Sequence, residues 1–554
     1  MKILKEYCFT DYLLLTAIIL LGGFNEFVSC FLSVLMSAYL IYKIRKEKKL
    51  VIGKNLQSLF IMMIPLLYGI SCLWAVDRGM ALIGFLKFLP VGLFALSLWQ
   101  TESNGKILNA FPVIASVLTV ISVLLMQFEA LSGLFSVSGR FAGIFRYPNT
   151  YALFLLACQL IILQKNELKV IDYGIMAVLV GGLIYTGSRT ALIIFVISNI
   201  AYILLCGNKK LKIGLFVLIL AVVAVIAAAI LIGGKDSIFY RYLLISFESS
   251  TFIGRLLYFV DALPLLLKYP FGMGYMGYYY MQGQVQSGVY AVAFVHNDFL
   301  QLILDIGIIP GILFITVLVR WFIKKDISTG RKITVGAICL HSLLEFNLQF
   351  IAIFMLLILL IHSPQENAVI LRRGNIAVSI VLAVFSAVSI YIGTSLFLVY
   401  AGQWETADKL YPYNTQNKLA ILGKTEDLSE ANSISDEILN INTKYYLPYS
   451  VKAKFAYSKG KFSEVIEYKR KAIESYCFKY DEYTEYCQML INGIEAYERA
   501  GDTASAEVCK KELISTADLF DSNKQRLSRL GSMIENQPWA YLPDEITKYI
   551  EQIK

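Results

Sequence analysis

The sequence predicts an all-α chain: a polytopic membrane bundle of about 13 transmembrane helices, followed by a smaller α-helical repeat region. Three observations lead there. Hydrophobic residues fill 57% of the 554 positions, above the roughly 45–50% usual in soluble domains. Residues 1–400 carry repeated apolar runs near the length that crosses a bilayer. After residue 400 those runs stop and charged, amphipathic segments take over.

Taken in order, apolar segments fall at 9–24, 27–43, 56–73, 79–99, 107–127, 147–164, 171–187, 189–206, 212–232, 297–322, 332–346, 348–362 and 376–399. The opening MKILKEYCFTDYLLLTAIILLGGF has the basic start and apolar run of a signal peptide. No small-x-small cleavage site precedes the next span, so it reads as a retained first helix. The resulting division is a membrane region, 1–400, whose longest connection runs over about 233–296, and a helical tail, 401–554.

Net charge is +9. Residues 1–400 hold 30 Lys and Arg against 17 Asp and Glu (30 − 17 = +13), and residues 401–554 hold 20 against 24 (20 − 24 = −4). The surplus sits in membrane loops, which argues against a nucleic-acid partner and for contact with membrane lipid. The nine cysteines show neither CxxC nor other metal-ligand spacing and read as small apolar fillers, with a Cys477–Cys487 bridge as the open alternative.

With the N-terminus inside, KIRKEKKLVIGK, the stretch around Lys106, QKNELK, GNKKLK, IKKDISTGRK and LRR are cytoplasmic. With Lys2, Lys5 and Arg320 they hold 21 of the 30 basic residues. The tail is then external. The basic residues left outside are Arg78, Arg140, Arg146, Arg189, Lys235, Arg241, Arg255 and Lys268, six Arg in eight, against five in 21 inside. Lysine suffices to set topology, so this bias suggests planar, bidentate recognition of phosphate or carboxylate. Snorkelling or pairing with loop acids is the alternative for any one of them. The long loop is rich in Gly and Tyr (FGMGYMGYYYMQGQ) and too polar for lipid. Its tyrosines suit either stacking on sugar rings or an interfacial aromatic belt.

Three residue groups carry candidate chemistry. His296 opens the tenth helix beside Asn297 and Asp298, as a general base or as part of a solvated helix cap. His341 and Glu345, four apart on one predicted helix, form a candidate His–carboxylate pair that would relay protons, brace a site or pack. Lys87 and Asp305 are lone charges within predicted spans, and His362 reads as interfacial. No Walker A, GxGxxG, HExxH or GxSxG element appears in a supporting context, so an enzyme of this kind needs a donor that arrives activated.

Read in order, GRFAGIFRYPNTYALFLL (139–156), YTGSRTALIIF (185–195), GRLLYFVDALPLLLKYPFGMGYMGYYY (254–280), VHNDFLQLILDIG (295–307) and HSLLEFNLQF (341–350) form a series that resembles the O-antigen ligase and O-antigen polymerase superfamily. The likeness runs over most of residues 56–362. His296, Asn297 and Gly307 fit that family's signature, while Pro310 departs from it.

The resemblance implies a GT-C-like, metal-independent glycosyltransferase without cofactor in the bacterial cytoplasmic membrane. It would move an undecaprenyl-diphosphate-linked glycan onto a glycan or other surface acceptor at the outer leaflet. It also implies Arg189 and Arg255 as diphosphate ligands, Arg140 and Arg146 as further candidates, His296 with Asn297 as the catalytic element and His341 with Glu345 in support. The rival is a transporter or flippase of lipid-linked glycans, with His341, Glu345 and Lys87 as its polar path; no convincing repeat between halves of the membrane region supports it.

In the tail, 427–449 and 461–483 align at a period of 34, which resembles tetratricopeptide repeats, with 500–513 as a further helix. Such stacked helix pairs offer a concave surface for a partner protein, the growing glycan or the catalytic loop itself.

Overall fold

The computed structural model describes residues 8–101, 106–206, 209–246, 249–362, 368–371, 375–534 and 541–554. Lys2, Lys5, Arg372 and Arg373 lie outside them. The chain is helical almost throughout, with two short antiparallel strand pairs, Leu50–Gly53 with Ala368–Leu371 and Ser136–Val137 with Arg140–Phe141.

Each apolar segment is helical over most of its length. Arg78–Trp99 lies at the centre, buried along nearly its whole length by Glu26–Glu47, Leu56–Ser71 and Ile351–Ile361. Lys209–Gly233 is at the margin, with Phe216, Leu220, Val223 and Leu231 exposed as a lipid-facing helix requires. Among the described residues, six helices are long and apolar enough to cross a membrane by length and composition, and shorter apolar helices pack between them.

Three expectations change. The segment 297–322 is two helices, Asp298–Ile306 and Ile308–Phe322, because Gly307 takes φ 102°, a conformation open to glycine. The carbonyls freed at the break are taken up by the 270–274 turn: Met273 N donates to Leu304 O (2.7 Å) and Gly274 N to Asp305 O (3.0 Å). The first helix stops at Ile19 and passes into a 3-10 turn at Leu21–Gly23.

The third change concerns the long loop. It contains a helix, Ser250–Lys268, with Leu256, Phe259, Val260 and Leu263 exposed on one side. It meets the apolar-length criterion for a span, yet both its ends touch one end of the bundle. Arg189 donates to Thr251 near its start, and Trp74 donates to Phe271 O (3.0 Å) just past its finish. It therefore runs across that end as an amphipathic helix, and the reading of the loop as too polar for lipid is corrected.

The tyrosines of this loop face inward. Tyr275, Tyr278 and Tyr280 are fully buried, so neither an open sugar-stacking platform nor an interfacial belt describes them. Lys87 and Asp305 are not lone charges. Lys87 donates to Phe24 O (2.5 Å) and pairs with Glu26 (3.6 Å), while Asp305 accepts from Tyr68 and Gln301 at 2.9 and 2.8 Å. His362 packs against the Trp99 ring.

Beyond Tyr400 the chain forms further helices. Helices begin at Leu428 and Tyr446 and again 34 residues later at Phe462 and Tyr480, followed by Thr503–Gln525. Their apolar stripes close on Val465, Tyr483, Cys487, Leu490, Leu513 and Ile546. Cys477 and Cys487 are both free thiols, so the candidate bridge is absent.

The tail docks on the bundle end that carries Ser250–Lys268. Asn442 donates to Asp77 (3.1 Å), Tyr411 to Gly79 O (3.0 Å) and Cys477 N to Gly283 O (3.1 Å). Gly531 sits so tightly against Ser287 O that a Cβ there would lie 2.1 Å from it. Of the surfaces the tail was expected to meet, the long loop is the one it covers.

Candidate functional site

The site is built around Glu345. The helix Thr329–Ser342 ends before it, so Glu345 lies in the following turn and the expected i, i+4 pairing with His341 does not form. His341 faces Asn347 Oδ1 at 3.2 Å instead. Glu345 is 0% exposed and accepts from four side chains: Tyr147 OH (2.7 Å), Asn149 Nδ2, Arg255 Nη2 and His296 Nδ1 (3.3 Å). Arg255 balances the charge of this carboxylate directly, and the other three side chains donate to it. It is a buried anion whose donors replace water.

Each member of the His296–Asn297–Asp298 triplet faces a different partner. His296 takes φ 54°, the left-handed region, a conformation that costs about 1–3 kcal/mol in a non-glycine residue and collects at functional sites. That turn swings the imidazole to Glu345, against the rings of Phe346 and Tyr258 (4.9 and 5.9 Å). Asn297 Oδ1 accepts from Leu300 N (3.0 Å) and caps the helix Asp298–Ile306, so Asn297 positions its neighbour and does not present its amide oxygen to a substrate. Asp298 accepts from Leu348 N (3.1 Å), which ties this helix start to the turn that bears Glu345.

An ionised carboxylate only accepts, so the ring nitrogen facing Glu345 carries the proton. In the neutral imidazole the other nitrogen, Nε2, is then the one that carries the lone pair. His296 is 19% exposed. The arrangement offers a proton acceptor in a fixed orientation at the bundle end.

Guanidinium groups surround this pair. Arg255 spends Nη2 on Glu345 and Nη1 on Thr190 Oγ1 (3.5 Å), and its buried Nε has no partner among the described residues. Arg189 donates to Leu244 O (2.8 Å) and Thr251 Oγ1 (2.7 Å). Both line a cavity of about 460 Å³ whose walls are Ile193, Ile194, Ile197, Leu340, Leu343 and Leu344. Several of those side chains are open to the outside of the bundle.

Arg140 is largely committed, to Thr186 O (3.0 Å) and Asn149 Oδ1 (2.7 Å). Burial and the charge of Arg241 lower it to about 10, so it remains a cation at neutral pH. Arg146, at φ 55°, is exposed, and its guanidinium has no hydrogen-bond partner among the described residues.

Four residues of the site were not singled out from the sequence. Tyr147 and Asn149 hold Glu345 from the RYPNT turn, where Pro148 starts the helix Pro148–Ile162 and sets Asn149 in its first turn. Tyr258 backs the imidazole. Arg241 repels both Arg140 and Arg189. The excess of external arginine included Arg241, but no motif distinguished it.

Fold and site define a multi-pass membrane protein with an imidazole–carboxylate pair inside an arginine cluster, beside an apolar cavity. Residues 174–315 match a protein-family model described as O-antigen ligase, so the chain is similar to that family over this stretch. The match includes Arg189, Arg241, Arg255, His296 and Gly307; Arg140, Tyr147 and Glu345 lie outside it. The family supports a membrane enzyme of glycosyl transfer in surface polysaccharide assembly, and suggests a lipid-linked glycan donor. Nothing matches among the curated proteins or among the solved structures.

Proposed function

We propose that the protein transfers a glycan from undecaprenyl diphosphate to an acceptor hydroxyl at the outer leaflet of the bacterial cytoplasmic membrane, without a metal, using His296 as general base. The observation that carries this reading is Glu345. One buried carboxylate joins the imidazole to Arg255, so base and anion-binding group are held as one unit.

Nε2 of His296 takes the acceptor's proton as its oxygen forms a bond to the anomeric carbon. The bond from that carbon to the diphosphate breaks, and the diphosphate leaves with the electron pair. Arg255 and Arg189, aided by Arg241 and Arg146, neutralise the charge that develops. The apolar cavity beneath Arg189 and Arg255 suits the first isoprene units of the polyprenyl chain. The diphosphate is an activated leaving group, so positioning and charge stabilisation suffice.

In this reading residues 1–400 are the membrane enzyme and 401–554 an extracytoplasmic, tetratricopeptide-like tail. The lysine-rich loops face the cytoplasm. A transport path through Lys87 is less well supported, because that ammonium is engaged by Phe24 O and Glu26.

The test is reconstitution. Purified protein in liposomes receives the undecaprenyl-diphosphate-linked repeat unit as sole substrate, with product followed on a gel in the presence and absence of EDTA. A ladder unaffected by EDTA is the polymerase outcome, and single transfers that appear once an acceptor is added are the ligase outcome. No product with any acceptor, together with movement of the donor across the bilayer, would overturn the reading in favour of transport.

A further inference from the structure

We infer that a second pocket, at the seam between bundle and tail, is a glycan-holding subsite for a neutral or amino-sugar ring a few residues from the one that reacts. This rests on the proposed transfer reaction. The pocket encloses about 250 Å³ between the start of helix Glu26–Glu47, the end of helix Asn375–Tyr400 and the tail residues Asn414 and Gln416. That is below the about 300–1,000 Å³ of sites that enclose a drug-sized ligand, and suits one ring of a longer chain.

Its polar groups have spare capacity. Asn25 precedes its helix without capping it and has no side-chain partner among the described residues. Glu26 Oε1 accepts from Tyr275 OH (2.7 Å) and faces Lys87, while no described residue donates to its other oxygen. Gln416 spends its amide nitrogen on Tyr280 OH (3.1 Å), which leaves its oxygen to accept. Asn414 caps the helix Thr415–Leu422 through its oxygen, which leaves its amide nitrogen to donate.

Donors and acceptors thus converge on one small space, as vicinal hydroxyls require. The rings of Phe27 and Tyr400, 5.0 Å apart, supply an apolar face for the C–H side of a sugar ring. The one charged lining residue is Glu26, so the pocket disfavours uronates and phosphosugars.

The link to the reacting centre is a row of rings. Tyr275, which holds Glu26, lies 6.3 Å from Phe294, Phe294 lies 5.2 Å from Phe346, and Phe346 lies 4.9 Å from His296. These rings are buried, so they mark the distance and not the route, and that distance is the length of a few sugar units. Because the tail supplies one wall, the subsite exists only while the tail is docked.

The experiment uses full-length protein in nanodiscs and the delipidated repeat-unit oligosaccharide of the source strain, titrated by calorimetry. Asn25→Ala and Tyr400→Ala, at partly exposed positions, are compared with wild type after thermal melting has shown both folded. The expected result is about tenfold weaker binding in each variant, with less product in the reconstituted assay. A hyaluronan tetrasaccharide is expected to bind more weakly than a neutral chitotetraose. Wild-type affinity in both variants, or no binding by wild type at millimolar oligosaccharide, would overturn the inference. Binding is read without turnover, so failure of the transfer reaction registers separately, as absent product from wild type.

Discussion

The two ends of the bundle handle polar groups in opposite ways. At the lysine-rich end Arg331 donates to the carbonyls of Leu359, Leu360 and His362, Gln57 donates to Ile361 O, and Gln100 bonds both Val51 N and Val51 O. The partners are backbone groups left over at helix and strand ends, and the result is closure. At the other end Arg255 keeps an unpartnered Nε, the Arg146 guanidinium has no hydrogen-bond partner among the described residues, and His296 sits in a left-handed conformation. Arg331 spends its donors on carbonyls and finishes the fold, whereas Arg255, with a donor to spare beside an imidazole, marks a site.

Glu345→Gln gives the largest effect on that contrast. It removes the charge that fixes the His296 tautomer and balances Arg255, and transfer should fall about 10³-fold in initial-rate assays. Glu345→Ala should also destabilise the protein by about 3–5 kcal/mol, since it strands a buried guanidinium; thermal melts in detergent check this.

Next comes Arg255→Lys, which keeps a charge but loses the planar fork. The expected outcome is a rise in donor KM of about 10- to 100-fold with a smaller change in kcat. Gly531→Val should follow, because a side chain there meets Ser287 O. Limited proteolysis should show a loosened tail, with transfer reduced severalfold. Smallest for catalysis is Arg331→Met at the closed end. It should lower stability by about 1–3 kcal/mol while leaving donor KM unchanged. A change in donor use by Arg331→Met as large as that by Arg255→Lys would erase the distinction between the ends.

Much of this was legible in the sequence because it depends on local pattern. Apolar runs mark the helices and the arginine excess marks one end, whereas the break at Gly307 was not legible, because the apolar run continues across it and only the backbone conformation ends the helix. Glu345 was legible as a residue but not in its role, because its partners come from positions 147, 149, 255 and 296 and its own helix ends at Ser342. Ser250–Lys268 was hidden because Arg255, Asp261 and Lys268 interrupt its apolar stripe. The loop tyrosines were misread because tyrosine suits burial as well as sugar contact, and only tertiary packing decides between them. The docking of Gly531 on Ser287 depends on two backbones meeting 244 residues apart (531 − 287), which no local pattern records.

The central claim is that His296, held by Glu345, takes the proton of the acceptor. Its most direct test compares wild type with His296→Ala in liposomes, measuring single-turnover transfer and donor binding on the same preparations. Transfer should drop by about 10²–10⁴-fold while donor affinity stays within about threefold of wild type. Transfer by His296→Ala at the wild-type rate would contradict the claim.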